Sequence, residues 1–224
     1  MFARSALCRT AFIFCGLTVF AATAQQENRE PEAATGIYQQ QLVSGKQYMV
    51  SSAHPMATEA GRAVLAKGGS AVDAAIATQV MLGLVEPQSS GIGGGAFMLH
   101  WQAKQQHLTT FDGREMAPAA ATRDMFLVNG KADPELSRTG ALAVGVPGSV
   151  LALDKLRQLG GVLRWRDLIL PSAELADKGF VVSRSLAERL AATAPNLAKF
   201  PASAAIYLDA KQQPWVAGSE LRQV

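Results

Sequence analysis

Between Ala71 and Val85 the chain is apolar at nearly every position, with only Asp73, Thr78 and Gln79 polar. A helix that is apolar all round is buried between layers, so this run predicts a layered α/β (α+β) architecture and not a surface hairpin of two helices. Ser70, with Asp73 three positions on, supplies a capping-box-like start. The preceding helix runs from Pro55, a residue suited to a first helical turn, to about residue 67, where Gly68-Gly69 ends it. Residues 47–52 predict a short strand ahead of that helix, broken by His54-Pro55.

After the apolar helix, Gly91-Ile92-Gly93-Gly94-Gly95 leads into two strand-like runs, residues 96–101 and 106–111. Ala103-Lys104-Gln105 joins them, so they read as a hairpin. Asp112-Gly113 closes the second strand, and residues 114–118 leave it as an irregular segment. Residues 141–146 predict another short strand, with Pro147-Gly148 opening a helix over about residues 149–159. Helices are predicted near Trp165–Lys178 and residues 185–192, with Pro171 kinking or splitting the first.

The N-terminus reads as an address. Arg4 and Arg9 have no acid nearby, residues 11–20 are apolar, and Ala22-Thr23-Ala24 places small residues where a signal peptidase reads. Residues 1–24 are therefore expected to be a signal peptide and the product periplasmic or secreted. The apolar run is half the roughly 20 residues that a spanning helix needs. Residues 25–45 form a polar leader, and residues 46–224 carry the fold.

That division changes how composition is read. The 224 residues are 49% hydrophobic and 17% charged, which is globular, with a formal net charge of +3. Removing residues 1–24 takes Arg4 and Arg9 from the 21 basic residues, leaving 19 against 18 acidic ones. A nearly neutral chain gives no reason to expect a nucleic-acid partner. Cys8 and Cys15 leave with the same segment, which excludes disulfides, thiolate metal sites and cysteine nucleophiles from the mature protein.

The candidate chemistry is sparse. His54, His100 and His107 are never three or four residues apart, so no helical ligand pair exists and neither a metal nor a cofactor is expected. Residues 91–96 formally fit a dinucleotide-binding glycine pattern, but a helix precedes and a strand follows, the reverse of what pyrophosphate binding requires. These glycines are better explained by close approach of two backbones. No G-x-S-x-G elbow is present. Glu59, Asp73 and Glu86 fall at helix starts or ends, where dipole or solvent accounts for them. Arg114 has two readings, a fork for a substrate carboxylate or a local ion pair with Asp112 or Glu115.

Four segments in order then resemble one family: residues 68–75, Glu86-Pro87 with the 91–95 glycines, Asp112-Gly113-Arg114-Glu115-Met116-Ala117-Pro118, and Val144-Gly145-Val146-Pro147-Gly148-Ser149. Trp165-Arg166-Asp167-Leu168 and Gly179-Phe180 continue the match. The combination is similar to the N-terminal part of the large subunit of gamma-glutamyltransferase, or glutathione hydrolase. The resemblance implies an N-terminal-nucleophile hydrolase αββα sandwich, present only in part. It implies a self-cleaving precursor whose small subunit supplies a threonine nucleophile, with its own α-amino group as base. It implies glutathione and other γ-glutamyl compounds as substrates, amino-acid or peptide acceptors, and the small subunit of the same precursor as partner. Arg114 falls at the family position that grips the α-carboxylate of the γ-glutamyl group.

The family's Thr-Thr-His-aromatic-Ser segment is missing; Thr109-Thr110 is followed by Phe111-Asp112. No catalytic residue is therefore assigned within this chain, and alone it is expected to be inactive. A cephalosporin-acylase-like relative would take a bulkier acyl group, whereas Arg114 favours a free α-carboxylate. A non-catalytic remnant or binding partner is the reading from a different class.

Overall fold

A computed structural model of the chain describes residues 42–223. The expected signal peptide, residues 1–24, and all but the end of the expected polar leader, residues 25–45, lie outside the described residues.

Helix α1 (Pro55–Ala66) is capped by a histidine: His54 Nδ1 accepts the Met56 N–H at 3.2 Å. Gly68, at φ +84°, ends it in a conformation that suits glycine. Helix α2 (Ala71–Val85) carries the expected capping box, in which Ser70 Oγ accepts the Asp73 N–H and Asp73 Oδ2 accepts the Ser70 N–H. The Asp73 carboxylate is fully buried and also accepts the N–H groups of Val162 at 3.1 Å and Leu163 at 3.3 Å. One side chain thus caps α2 and ties it to a connection some ninety residues away.

Helix α2 packs against α1, α3 (Ser149–Gly160) and α4 (Trp165–Lys178). It feeds both core clusters. Met81, Leu84 and Val85 join Ala57, Phe180, Leu186 and Leu221 in one. Val72, Ile76 and Ala77 join Val64, Leu153, Leu156 and Leu168 in the other. An apolar face on every side is what such a position requires.

Strands β1 (Phe97–Gln102) and β2 (His107–Asp112) form the antiparallel hairpin, one residue later than the sequence predicts. Met98 and Phe111 face inward onto the second cluster. On the other face, Phe97, Leu99, Trp101 and Leu108 are each more than half exposed. The hairpin is a sheet of two strands, and its outer surface is bare.

Two expectations need correction, and a third, that Pro171 kinks or splits its helix, is narrowed. Residues 47–52 are not a strand: they run without ladder partners among the described residues, and Val50 packs on the second cluster instead. A short apolar run yields a strand only when another strand lies beside it. Residues 141–146 hold a single 3₁₀ turn, Ala141–Ala143, and one β-bridge from Val146 to Met116. Pro171 neither splits nor ends α4. It and Asp167, whose carbonyl loses the usual donor, are both exposed, so water can take the place of that hydrogen bond.

The remaining elements are short strand pairs and helices. Strands β3 (Leu127–Val128) and β4 (Lys131–Ala132) pair around Asn129-Gly130, and β5 (Phe180–Val181) pairs with β6 (Glu220–Leu221). Helix α5 (Arg184–Leu197) outruns its expected end at residue 192 and contains Pro195. Helix α6 (Pro201–Tyr207) follows it.

Candidate functional site

Three segments far apart in sequence meet beside the end of β2. Gly113 and Ala96 exchange backbone hydrogen bonds at 2.9 and 3.2 Å, extending the hairpin ladder by one pair. Gly148 and Ser149 both donate to the Gly94 carbonyl at 3.1 Å, docking the start of α3 on the glycine stretch. Met116 and Val146 bond reciprocally at 3.2 and 2.8 Å. The glycine-rich run, the D-G-R-E-M-A-P run and the V-P-G-S run are therefore one junction.

Glycine is required there by space. A Cβ on Gly148 would collide with the Gly113 carbonyl. One on Gly113 would stand 2.6 Å from the Ala152 Cβ, and one on Gly95 would stand 2.8 Å from the Arg114 Cα. Close backbone approach is what the sequence leads one to expect of the 91–95 glycines, and Gly95 shows it. The phosphate reading fails on context, since α2 precedes the stretch and β1 follows it.

The junction borders a cavity of about 390 Å³ whose lining includes Asp112, Arg114, Met116, Val146, Leu151 and Lys155. Arg114 is exposed, and its main-chain N–H donates to Asp112 Oδ1 at 3.0 Å. Among the described residues its guanidinium forms no ion pair, with Asp112, Glu115 or any other acid. The fork is free to receive an anion. The neighbouring Glu115 carboxylate lies against Gly94 and Gly95, and its Cβ against Gly145. This packing role is not apparent from spacing, whereas the Asp112 turn could have been found, since an aspartate two residues before the arginine is a readable turn signal.

The histidines do not converge. His54 caps α1, and burial holds its pKa below the ordinary imidazole value. His100 packs against Gly160 at the end of α3, and its Nδ1 is buried without a hydrogen-bond partner. His107 is exposed at the far end of β2. Among the described residues, no group of three or more His, Cys, Asp or Glu is placed to hold a metal ion.

The acids at helix ends divide. Glu59 pairs with the exposed Arg62 at 2.6 Å, and that hydrogen bond lowers its pKa. Asp73 sits at an N-terminus, where the dipole favours its charge. Glu86 departs from expectation: it is only 8% exposed, at the C-terminus of α2, where the dipole opposes a negative charge. Burial raises its pKa, partly offset by a hydrogen bond from Ser89.

A buried central helix, a helical layer and a hairpin bare on one face make up part of the N-terminal-nucleophile hydrolase sandwich. The chain superposes on the gamma-glutamyltranspeptidase of Helicobacter pylori with a TM-score of 0.78 and 34% identity, covering 82% of this chain and 52% of that one. It superposes on a cephalosporin acylase from Bacillus halodurans with a TM-score of 0.65 and 25% identity, covering 84% and 37%. The glutathione hydrolase proenzyme of Bacillus subtilis strain 168 is 44% identical over 186 residues, which is 82% of this chain and 32% of that relative. The family model described as gamma-glutamyltranspeptidase matches residues 57–224.

The chain belongs to the gamma-glutamyltranspeptidase family. It spans about a third of the length of the curated relatives it matches.

Proposed function

We propose that this chain is the N-terminal portion of a gamma-glutamyltransferase or glutathione hydrolase precursor, and that Arg114 holds the α-carboxylate of the γ-glutamyl group. The observation that carries this reading is the Arg114 guanidinium, unpaired among the described residues, on a cavity at a junction built from three of the family's segments. A guanidinium presents parallel N–H donors that match a carboxylate, and it stays charged at any physiological pH. Hydrolysis or transfer then proceeds through an acyl-enzyme on a threonine that lies beyond these 224 residues. Water or an amino-acid or peptide acceptor resolves the intermediate, and the small subunit of the same precursor completes the site. The N-terminal pattern supports a periplasmic or secreted product; among the described residues no helix is long and apolar enough to cross a membrane.

The test has two arms. The 224-residue chain alone is expected to release no p-nitroaniline from a γ-glutamyl anilide, and measurable release would overturn the placement of the nucleophile. A longer product of the same reading frame is expected to cleave itself into two subunits on a gel and to turn over the anilide. In that product, Arg114→Lys is expected to raise KM about tenfold or more, through loss of the bidentate geometry. An unchanged KM would remove Arg114 from the substrate site.

A further inference from the structure

We propose that Asp112 is a positioning residue for Arg114, acting through the main chain. The inference rests on the reading of Arg114 as the carboxylate-holding group and deepens it. Asp112 is the last residue of β2, opposite Phe97. Its Oδ1 accepts the Arg114 N–H at 3.0 Å, the turn in which an Asp or Asn side chain bonds the backbone two residues on.

Two observations give that turn a consequence for the site. An aspartate so close to an arginine is a ready ion-pair partner, yet its carboxylate is engaged by the main chain and the guanidinium is left free. A guanidinium folded back onto Asp112 would spend on its neighbour the donors that a substrate carboxylate needs. In addition, Gly113 is buried against Ala152 and Gly148, so packing fixes the chain on one side of Arg114. The Asp112 hydrogen bond fixes the peptide entering Arg114 itself. Together they set the direction from which the side chain leaves the junction. Asp112 and Arg114 line the same cavity.

The turn needs an acceptor oxygen and not a charge, so the conservative amide separates the two. The isotopically labelled longer product of the same reading frame, cleaved into its two subunits, is assayed for KM with L-γ-glutamyl-p-nitroanilide, and its Arg114 amide resonance is followed. Asp112→Ala is expected to raise KM about tenfold, as weaker binding, and Asp112→Asn to restore it to within about twofold, since orientation at a binding group is costly to lose. Hydrogen exchange at the Arg114 amide is expected to be slow in wild type and Asp112→Asn and faster in Asp112→Ala, with the thermal midpoint unchanged in all three. Asp112→Asn binding as weakly as Asp112→Ala would overturn the inference, and so would Asp112→Ala binding like wild type. Loss of binding in Arg114→Lys with none in Asp112→Ala leaves the Arg114 reading standing and sinks this one. A KM unchanged in both Arg114→Lys and Asp112→Ala removes the Arg114 reading, and the inference with it.

Discussion

His54 shows how much a single side chain can do at a helix end. Its Nδ1 lone pair accepts the Met56 N–H, one of the donors that α1 cannot satisfy internally. The cap works only in the neutral ring, because a proton on Nδ1 turns the acceptor into a donor. Burial lowers the His54 pKa from the ordinary 6.5, so below that value the unfolded chain binds the proton more readily than the folded one. The contribution of His54 is therefore complete above about pH 6.5 and is lost as pH falls through the lowered folded value. His54→Asn replaces it with a cap that does not titrate. Urea unfolding at pH 7 and pH 5 is expected to show wild type losing about 1 kcal/mol more than His54→Asn on acidification. Equal losses would mean that the ring nitrogen does not cap the helix.

At the scale of elements, what could be read from sequence was what local chemistry decides. Helices α1 and α2 begin and end where His54-Pro55, Ser70, Asp73 and Gly68 place them, because caps act within a turn of the backbone. The β1–β2 hairpin was legible for the same reason, within one residue. Residues 47–52 and 141–146 were misread because a strand is a property of a pair, and among the described residues no neighbouring strand takes up their backbone beyond the single Val146–Met116 bridge. Strands β5 and β6 are two residues each, too short for any period, and their pairing joins positions forty residues apart. Strands β3 and β4 were legible in principle, since Asn129-Gly130 is a hairpin signal and both residues have positive φ, 51° and 74°. For the site, Arg114 was visible as a motif residue, but its freedom from Asp112 was a matter of geometry. The junction yields its own prediction. Gly148→Ala drives a methyl into the Gly113 carbonyl, whereas nothing lies within 4 Å of the Cβ position at Gly91. Denaturant unfolding is expected to put Gly148→Ala at about 1–3 kcal/mol of destabilisation and Gly91→Ala within about 0.5 kcal/mol of wild type. Comparable costs at both positions would mean that α3 is not anchored through Gly148.

At the scale of the molecule, the two faces of the hairpin set what kind of object this chain is. The inner face closes a core around Ile76, which has no exposed surface, while Leu99 and Trp101 on the outer face are 75% and 54% exposed. Apolar side chains gain stability from the area they remove from water, so in this chain the outer ones contribute little to folding despite being as apolar as the core. The sequence draws little distinction between the two faces: Phe97, Met98 and Leu99 read as one apolar run, with Trp101 beyond His100, close to the pattern of a strand covered on both sides. The fold covers one side only, as expected for part of a sandwich whose second layer is elsewhere. The asymmetry is measurable. Ile76→Ala is expected to cost about 2–5 kcal/mol of unfolding free energy, whereas Leu99→Ser and Trp101→Ser are each expected to stay within about 0.5 kcal/mol of wild type. The outer substitutions should also lower binding of a hydrophobic dye, and Ile76→Ala should not. If Leu99→Ser destabilises the 224-residue chain as strongly as Ile76→Ala, the outer face is already buried in solution, and the chain is not an open half of a sandwich.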